Sequence, residues 1–316
     1  MLAAHERGDL LALRTSGTSG APRAVVRTTA SWFDSFGTVS QLLDLGPGAR
    51  LWVPGPLAAT MNLFAAVHAA SVGATVTSTP DAATHAVLTP ATLARTSAHG
   101  TDLRGVHLLV AGDRLTPRLH DEALAQGASR VSHYYGAAEL SFVAWGTHAE
   151  DLSPFPGVEV ECREGRLWVR SPYLMHRYDG PDGPLLHGAD GFVTVGDRGD
   201  VTEGRVLVHG RGSDAVVTAG ATVLVADVEA VLERVTRSPV VVVGAAHPDL
   251  GQVLCGVLHH PDDLAAARAA ARELLEPAQR PRRWYALGEL PLTVAGKVDR
   301  DRLTALLAGA VPLAAP

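Results

Sequence analysis

Residues 290–300, LPLTVAGKVDR, contain Lys297, the only lysine among the 27 Lys and Arg residues of this 316-residue chain. A GC-rich coding bias accounts for the arginines. Arginine replaces lysine as a solvated charge, but not where a compact ammonium must reach one point in a crowded site. Lys297 is therefore a candidate for chemistry, with chance survival on the surface as its rival. A second candidate is the run Thr15, Ser16, Gly17, Thr18, Ser19, Gly20, closed by Ala21, Pro22 and Arg23. Hydroxyls and glycines so closely spaced can turn backbone N–H groups and side-chain donors onto phosphate oxygens. A plain flexible turn has the same composition. A Walker A loop is ruled out, because its Gly-Lys-Ser/Thr ending is missing.

Other chemistries lack support. The net charge of −6, without a basic run, argues against nucleic acid as a partner. Neither a signal-peptide pattern nor an apolar run long enough for a membrane span occurs, so a cytoplasmic location without a membrane span is expected. Cys162 and Cys255 make no paired spacing and read as free thiols rather than a disulfide. The 14 histidines show no metal-ligand spacing, so a metal site built by the protein alone is not expected.

Such groups need elements to position them. Apolar runs at 10–13, 50–53, 74–77, 85–88, 106–111 and 131–135 read as strands. Helix-length segments at 29–43, 61–72, 90–98 and 117–126 alternate with them. The alternation predicts a layered α/β domain with a largely parallel sheet. Residues 157–172 and 191–208 alternate apolar and polar between Gly, Pro and Asp, as in a small antiparallel β unit. Beyond Gly210, strands at 215–218, 240–245, 253–258 and 284–287 with helices at 227–235 and 263–275 predict a small α+β domain. Asp299 is placed to cap a last helix.

Five segments in this order, RTSGTSGAPRAVV, YYGAAEL, GFVTVGD, GRGSDAVVTAG and LPLTVAGKVDR, resemble those of the adenylate-forming superfamily. The likeness is greatest to the carboxylate–CoA ligases, such as o-succinylbenzoate–CoA and fatty-acyl-CoA ligases. The resemblance implies a two-step reaction. A carboxylate attacks the α-phosphate of ATP to give an acyl-adenylate and pyrophosphate. A thiol, usually that of coenzyme A, then displaces AMP.

It also implies roles. Thr15, Ser16, Gly17, Thr18, Ser19 and Gly20 match the phosphate loop, with Arg23 where a lysine is common. Glu139 matches the acidic residue that helps to hold Mg²⁺; its alternative is a plain surface carboxylate. Tyr135 and Gly136 lie in the strip flanking adenine, and Gly112 and Asp113 fit the other adenine-side loop. Asp197 matches the acceptor of the ribose hydroxyls, or else a turn cap. Arg211 matches a ribose or phosphate contact at the domain junction, or else an interdomain salt bridge. Gly220 matches a position passing close to the thiol arm. Lys297 matches the lysine that bridges substrate carboxylate and α-phosphate.

The expected organisation is a large nucleotide- and acyl-binding α/β domain over 1–210, its β unit at about 155–210, and a smaller, mobile α+β domain over 211–316. Only 14 residues precede the phosphate loop, where relatives carry roughly a hundred or more. A shortened N-terminal domain is therefore expected, with a reduced sheet or a shallow acyl pocket that a partner subunit could complete. Ala138 stands where a threonine usually precedes the glutamate, and Ser213 where an acidic residue is common. These departures keep open a non-catalytic nucleotide- or acyl-binding homologue or scaffold. The thiol donor is coenzyme A, or the phosphopantetheine of a carrier protein in the variant reading. The acyl group is not legible: His85, Trp145, Phe142 and Met61 read as pocket lining or as ordinary core.

Overall fold

The computed structural model describes residues 2–15, 23–211 and 215–314. The chain forms two compact units. One comprises residues 1–208 with 294–297, the other 209–293 with 298–316.

The first unit is built on the sheet that the alternation predicts. Among the described residues it has seven strands, ordered Thr75–Thr77, Arg50–Trp52, His85–Leu88, His107–Ala111, Arg130–Ala137, Ser141–Gly146 and Ser153–Pro154. The first five are parallel and the last two antiparallel. The strand His107–Ala111 is wholly buried, with Leu109 in one apolar cluster and Leu108 and Val110 in another. Both faces are therefore covered, which is why these strands read as unbroken apolar runs. Trp32 and Phe36 of helix Ala30–Leu43 and Phe64 of helix Thr60–Ser71 join the Leu109 side, while Leu93 and Leu119 join the other. The latter two belong to helices Pro90–Ala98 and Pro117–Ala125. Each of these begins with proline after a threonine whose hydroxyl accepts a backbone N–H of the first turn.

The structure departs from expectation at the first strand. Leu10–Thr15 does not join the parallel sheet. It pairs antiparallel with Arg23–Thr28, which in turn pairs with Arg177–Asp179. The run RAVVRT was not read as a strand; the partner that it supplies draws Leu10–Thr15 into a separate sheet. The β unit is as the sequence suggests. Glu159–Arg163 and Arg166–Arg170 form a hairpin whose two turn residues, Glu164 and Gly165, both have positive φ.

In the second unit, Ala221–Leu224, Ala215–Thr218, Gly251–Leu258 and Val241–His247 lie in that order, with Arg283–Ala286 parallel to Gly251–Leu258. The strand Ala221–Leu224 was not anticipated. Val242 packs into a cluster with helices Val225–Leu232 and Leu264–Leu274, while Val241 and Val243 face helix Arg300–Leu307. Asp299 caps that last helix, accepting the Arg302 N–H at 3.0 Å. Glu229 takes two hydrogen bonds from Arg300, at 2.8 and 3.0 Å. No helix among the described residues is long and apolar enough to cross a membrane.

Among the buried histidines of the first unit are His68, His107 and His133. Burial, which penalises the charged imidazolium, lowers each to about 4 from the ordinary 6.5. The unfolded chain therefore binds more protons than the native one below pH 6.5, and the stability these neutral rings confer is lost as pH falls toward 4. The melting temperature should be level above pH 6.5 and fall steeply below it. Replacing His133 by Gln, which can still donate to the Val110 carbonyl in place of Nδ1, should remove up to one proton from the slope of stability against pH. An unchanged slope would count against this origin.

Candidate active site

Ser16, Gly17, Thr18, Ser19 and Gly20, which the resemblance assigns to a phosphate loop, lie outside the described residues. Their frame does not: Thr15 and Arg23 are opposite partners at the end of the antiparallel pair.

The other predicted residues of the first unit fall into three groups. In the first, Tyr135 donates its hydroxyl to Oδ2 of Asp197 at 2.5 Å. Asp197 opens the strand Asp197–Thr202 and is only 5% exposed. Gly136 sits beside Tyr135 where the pairing of Arg130–Ala137 with Ser141–Gly146 shifts register. A Cβ on Gly136 would lie 2.1 Å from the Ser141 carbonyl oxygen, so local backbone crowding alone requires glycine there.

The second group centres on Glu139, at the tip of this hairpin. The turn is closed by the Leu140 N–H to the Ala137 carbonyl, and Ser141 adopts φ +62°. Glu139 is 6% exposed, so its plain-surface reading fails. Its Oε1 accepts the Tyr178 hydroxyl at 3.1 Å, and its carbonyl accepts the Met175 N–H at 2.8 Å. Arg27, 1% exposed, donates Nη2 to the Tyr173 carbonyl at 2.7 Å. Among the described residues its Nε has no hydrogen-bond partner. Burial lowers the Arg27 pKa to about 10, against which the negative charge of Glu139 acts to raise it.

The third group joins Gly112 and Lys297. Gly112 follows the strand His107–Ala111 with φ +91°, and a Cβ there would come within 3.3 Å of Lys297 Cε. The preceding Gly296 gives its carbonyl to the Thr89 hydroxyl at 2.5 Å. Asp113 is exposed, and its Oδ1 accepts the Arg114 N–H at 2.9 Å. Gly112 and Thr89 both stand just past the carboxyl ends of parallel strands, where open α/β sheets bind their ligands.

Two predicted residues belong to the second unit. Arg211 ends the strand Arg205–Arg211. Gly220 forms, with Ala219, the two-residue turn between Ala215–Thr218 and Ala221–Leu224, both at positive φ. Nothing lies within 4 Å of a Cβ on Gly220, so its backbone conformation alone accounts for the residue.

Arg27, Tyr178 and Thr89 escaped the sequence reading. For Arg27 a signal existed, since in a strand it shares a face with the fully buried Val25. Tyr178 lies in a stretch with no recognisable pattern. Thr89 carries a cap signature before Pro90, but nothing local points to Gly296.

A divalent cation can be judged against these donors. Among the described residues no group of three or more His, Cys, Asp or Glu could hold a metal ion. One carboxylate suits Mg²⁺, which commonly takes one or two from the protein and completes its octahedron with phosphate oxygens and water. Glu139 fits that use.

Comparisons with known proteins identify the relatives of this chain. The AMP-binding enzyme family matches residues 10–179. An uncharacterized acyl-CoA ligase of Bacillus subtilis, YhfT, is 25% identical over 327 residues, covering 92% of this chain and 67% of that protein. The protein named Probable 2-succinylbenzoate–CoA ligase in Mycobacterium tuberculosis is 29% identical over 329 residues, covering 95% and 85%. A structure of E. coli MenE with bound OSB-AMS superposes with a TM-score of 0.79 at 25% identity, covering 94% of this chain and 68% of that one. The chain belongs to the AMP-binding enzyme family, on its acyl-CoA ligase branch.

Proposed function

We propose that the protein uses ATP to convert a carboxylic acid to an acyl-adenylate and then passes the acyl group to the thiol of coenzyme A. The observation that carries the reading is the meeting of Lys297, the only lysine of the chain, with the turn at Gly112. A slim ammonium there can follow negative charge as it moves from the attacking carboxylate to the α-phosphate, a preorganised stabilisation that a planar guanidinium cannot copy. Asp197 receives the ribose hydroxyls. Tyr135 and Gly136 on one side, with Gly112 and Asp113 on the other, flank adenine. Thr15 to Gly20 and Arg23 hold the polyphosphate. Mg²⁺, held through Glu139, would neutralise phosphate charge. For the second half-reaction the small domain, which carries Arg211 and Gly220, turns to bring the thiol arm past Gly220. The protein acts in the cytoplasm on a simple fatty or aryl acid.

Ala138 favours a second reading. Loss of a hydroxyl beside Glu139 suits a homologue that binds nucleotide without turnover. Exchange of labelled pyrophosphate into ATP over a panel of carboxylates separates the two, since a binding protein exchanges none. Transfer to coenzyme A or to a carrier protein is then read from which thiol accumulates the acyl group.

Asp197→Ala should raise the ATP concentration needed for exchange tenfold or more, because each hydrogen bond to a charged group is worth about 1.5–3 kcal/mol. Tyr135→Phe should change it less. Equal ATP requirements in Asp197→Ala and the unaltered protein would exclude the ribose role.

Lys297→Arg should slow adenylation about a hundredfold, the scale of losing one preorganised donor. Supplied with pre-formed acyl-adenylate, the same variant should still make thioester. Near-normal adenylation by this variant would reduce the lone lysine to an accident of composition.

A further inference from the structure

We propose that Tyr178 is a positioning residue for Glu139, fixing which carboxylate oxygen is offered to a divalent cation. The proposal rests on the reading of Glu139 as a cation ligand.

The hydroxyl of Tyr178 has a neighbour on each side. The Leu185 N–H donates to it at 3.3 Å, and it lies 3.1 Å from Glu139 Oε1. A carboxylate can only accept, so the hydroxyl proton points at Oε1 while a lone pair takes the N–H. The backbone thus fixes the sense of the bond. A hydrogen bond to one oxygen of a carboxylate pins its rotation and leaves Oε2 as the oxygen to present.

The tyrosine is itself held from two sides. It pairs with Val25 in the sheet whose other two strands end at Thr15 and Arg23. Over its ring lies Gly183, where a Cβ would stand 2.0 Å from Cζ and 2.3 Å from the hydroxyl oxygen. Only a residue without a side chain lets residues 183–185 fold close enough for the Leu185 N–H to reach.

The buried Arg27 interacts electrostatically with Glu139. Leaving its Nε unpaired away from water carries a cost. A positive charge kept there despite that cost acts on the negative charge of Glu139, so the pinned carboxylate also has a charged neighbour.

The test is binding of Mn²⁺ in the presence of a non-hydrolysable ATP analogue, followed by the loss of the free-ion electron paramagnetic resonance signal. Tyr178→Phe keeps the ring and should weaken Mn²⁺ about tenfold, the scale of one hydrogen bond to a charged acceptor. Affinity for the analogue without metal and the melting temperature should be unchanged. Gly183→Ala, which adds one methyl group against the ring, should reproduce the loss. In a Glu139→Gln background, Tyr178→Phe should add nothing, because the tyrosine acts only through the carboxylate. Unchanged Mn²⁺ binding in Tyr178→Phe, or additive losses in the double variant, would overturn the proposal. If the unaltered protein binds the analogue but no Mn²⁺ with it, the cation role of Glu139 falls, and the proposal with it. If metal binding behaves as described but no carboxylate supports pyrophosphate exchange, the positioning role stands and the enzymatic reading fails.

Discussion

The first unit depends on one constraint: its parallel sheet is buried on both faces. Leu109 packs to one side of the strand His107–Ala111 and Leu108 and Val110 to the other. With both faces closed, the sheet offers chemistry only at the ends of its strands. Thr89 and Gly112 stand at two such ends, and the end of Arg130–Ala137 with the turn after it carries Tyr135, Gly136 and Glu139 to a third. These residues thus inherit their positions from the core of the sheet.

Beside this sheet, the antiparallel trio of Leu10–Thr15, Arg23–Thr28 and Arg177–Asp179 does different work. It brings Thr15 and Arg23, the buried Arg27 and Tyr178 onto one small frame. Glu139 comes from another sheet and is joined to this frame by a side-chain hydrogen bond. Charge in a closed environment needs a partner, and here the partners arrive from segments about 110 and 40 residues away in sequence.

Much of this was legible in the sequence, for identifiable reasons. Strands such as 85–88 and 107–111 stood out because two-sided burial demands continuous apolar runs. Helices beginning at Pro90 and Pro117 carry a start signal with a mechanism, threonine before proline. The pairing of Arg23–Thr28 was missed because a charged residue in a short strand reads as polar surface, whereas Arg27 faces inward. Ala221–Leu224 was missed because Ala219 and Gly220 read as a motif rather than as the turn of a hairpin. At the site, Asp197, Glu139 and Lys297 were visible through the order of their motifs. Tyr178 and Thr89 were not, since their partners are distant in sequence and no local pattern encodes a tertiary hydrogen bond.

The exposed side chain of Lys297 has a practical consequence. In most proteins an amine-directed dye labels many lysines and reports an average. Here the composition leaves a single side-chain amine, and it lies next to Gly112. A small fluorophore attached there would form a one-point optical probe, and its emission would follow the polarity around that turn as ligands come and go. The scarcity of lysine thereby gives the molecule a built-in address for spectroscopy, without any cysteine being engineered.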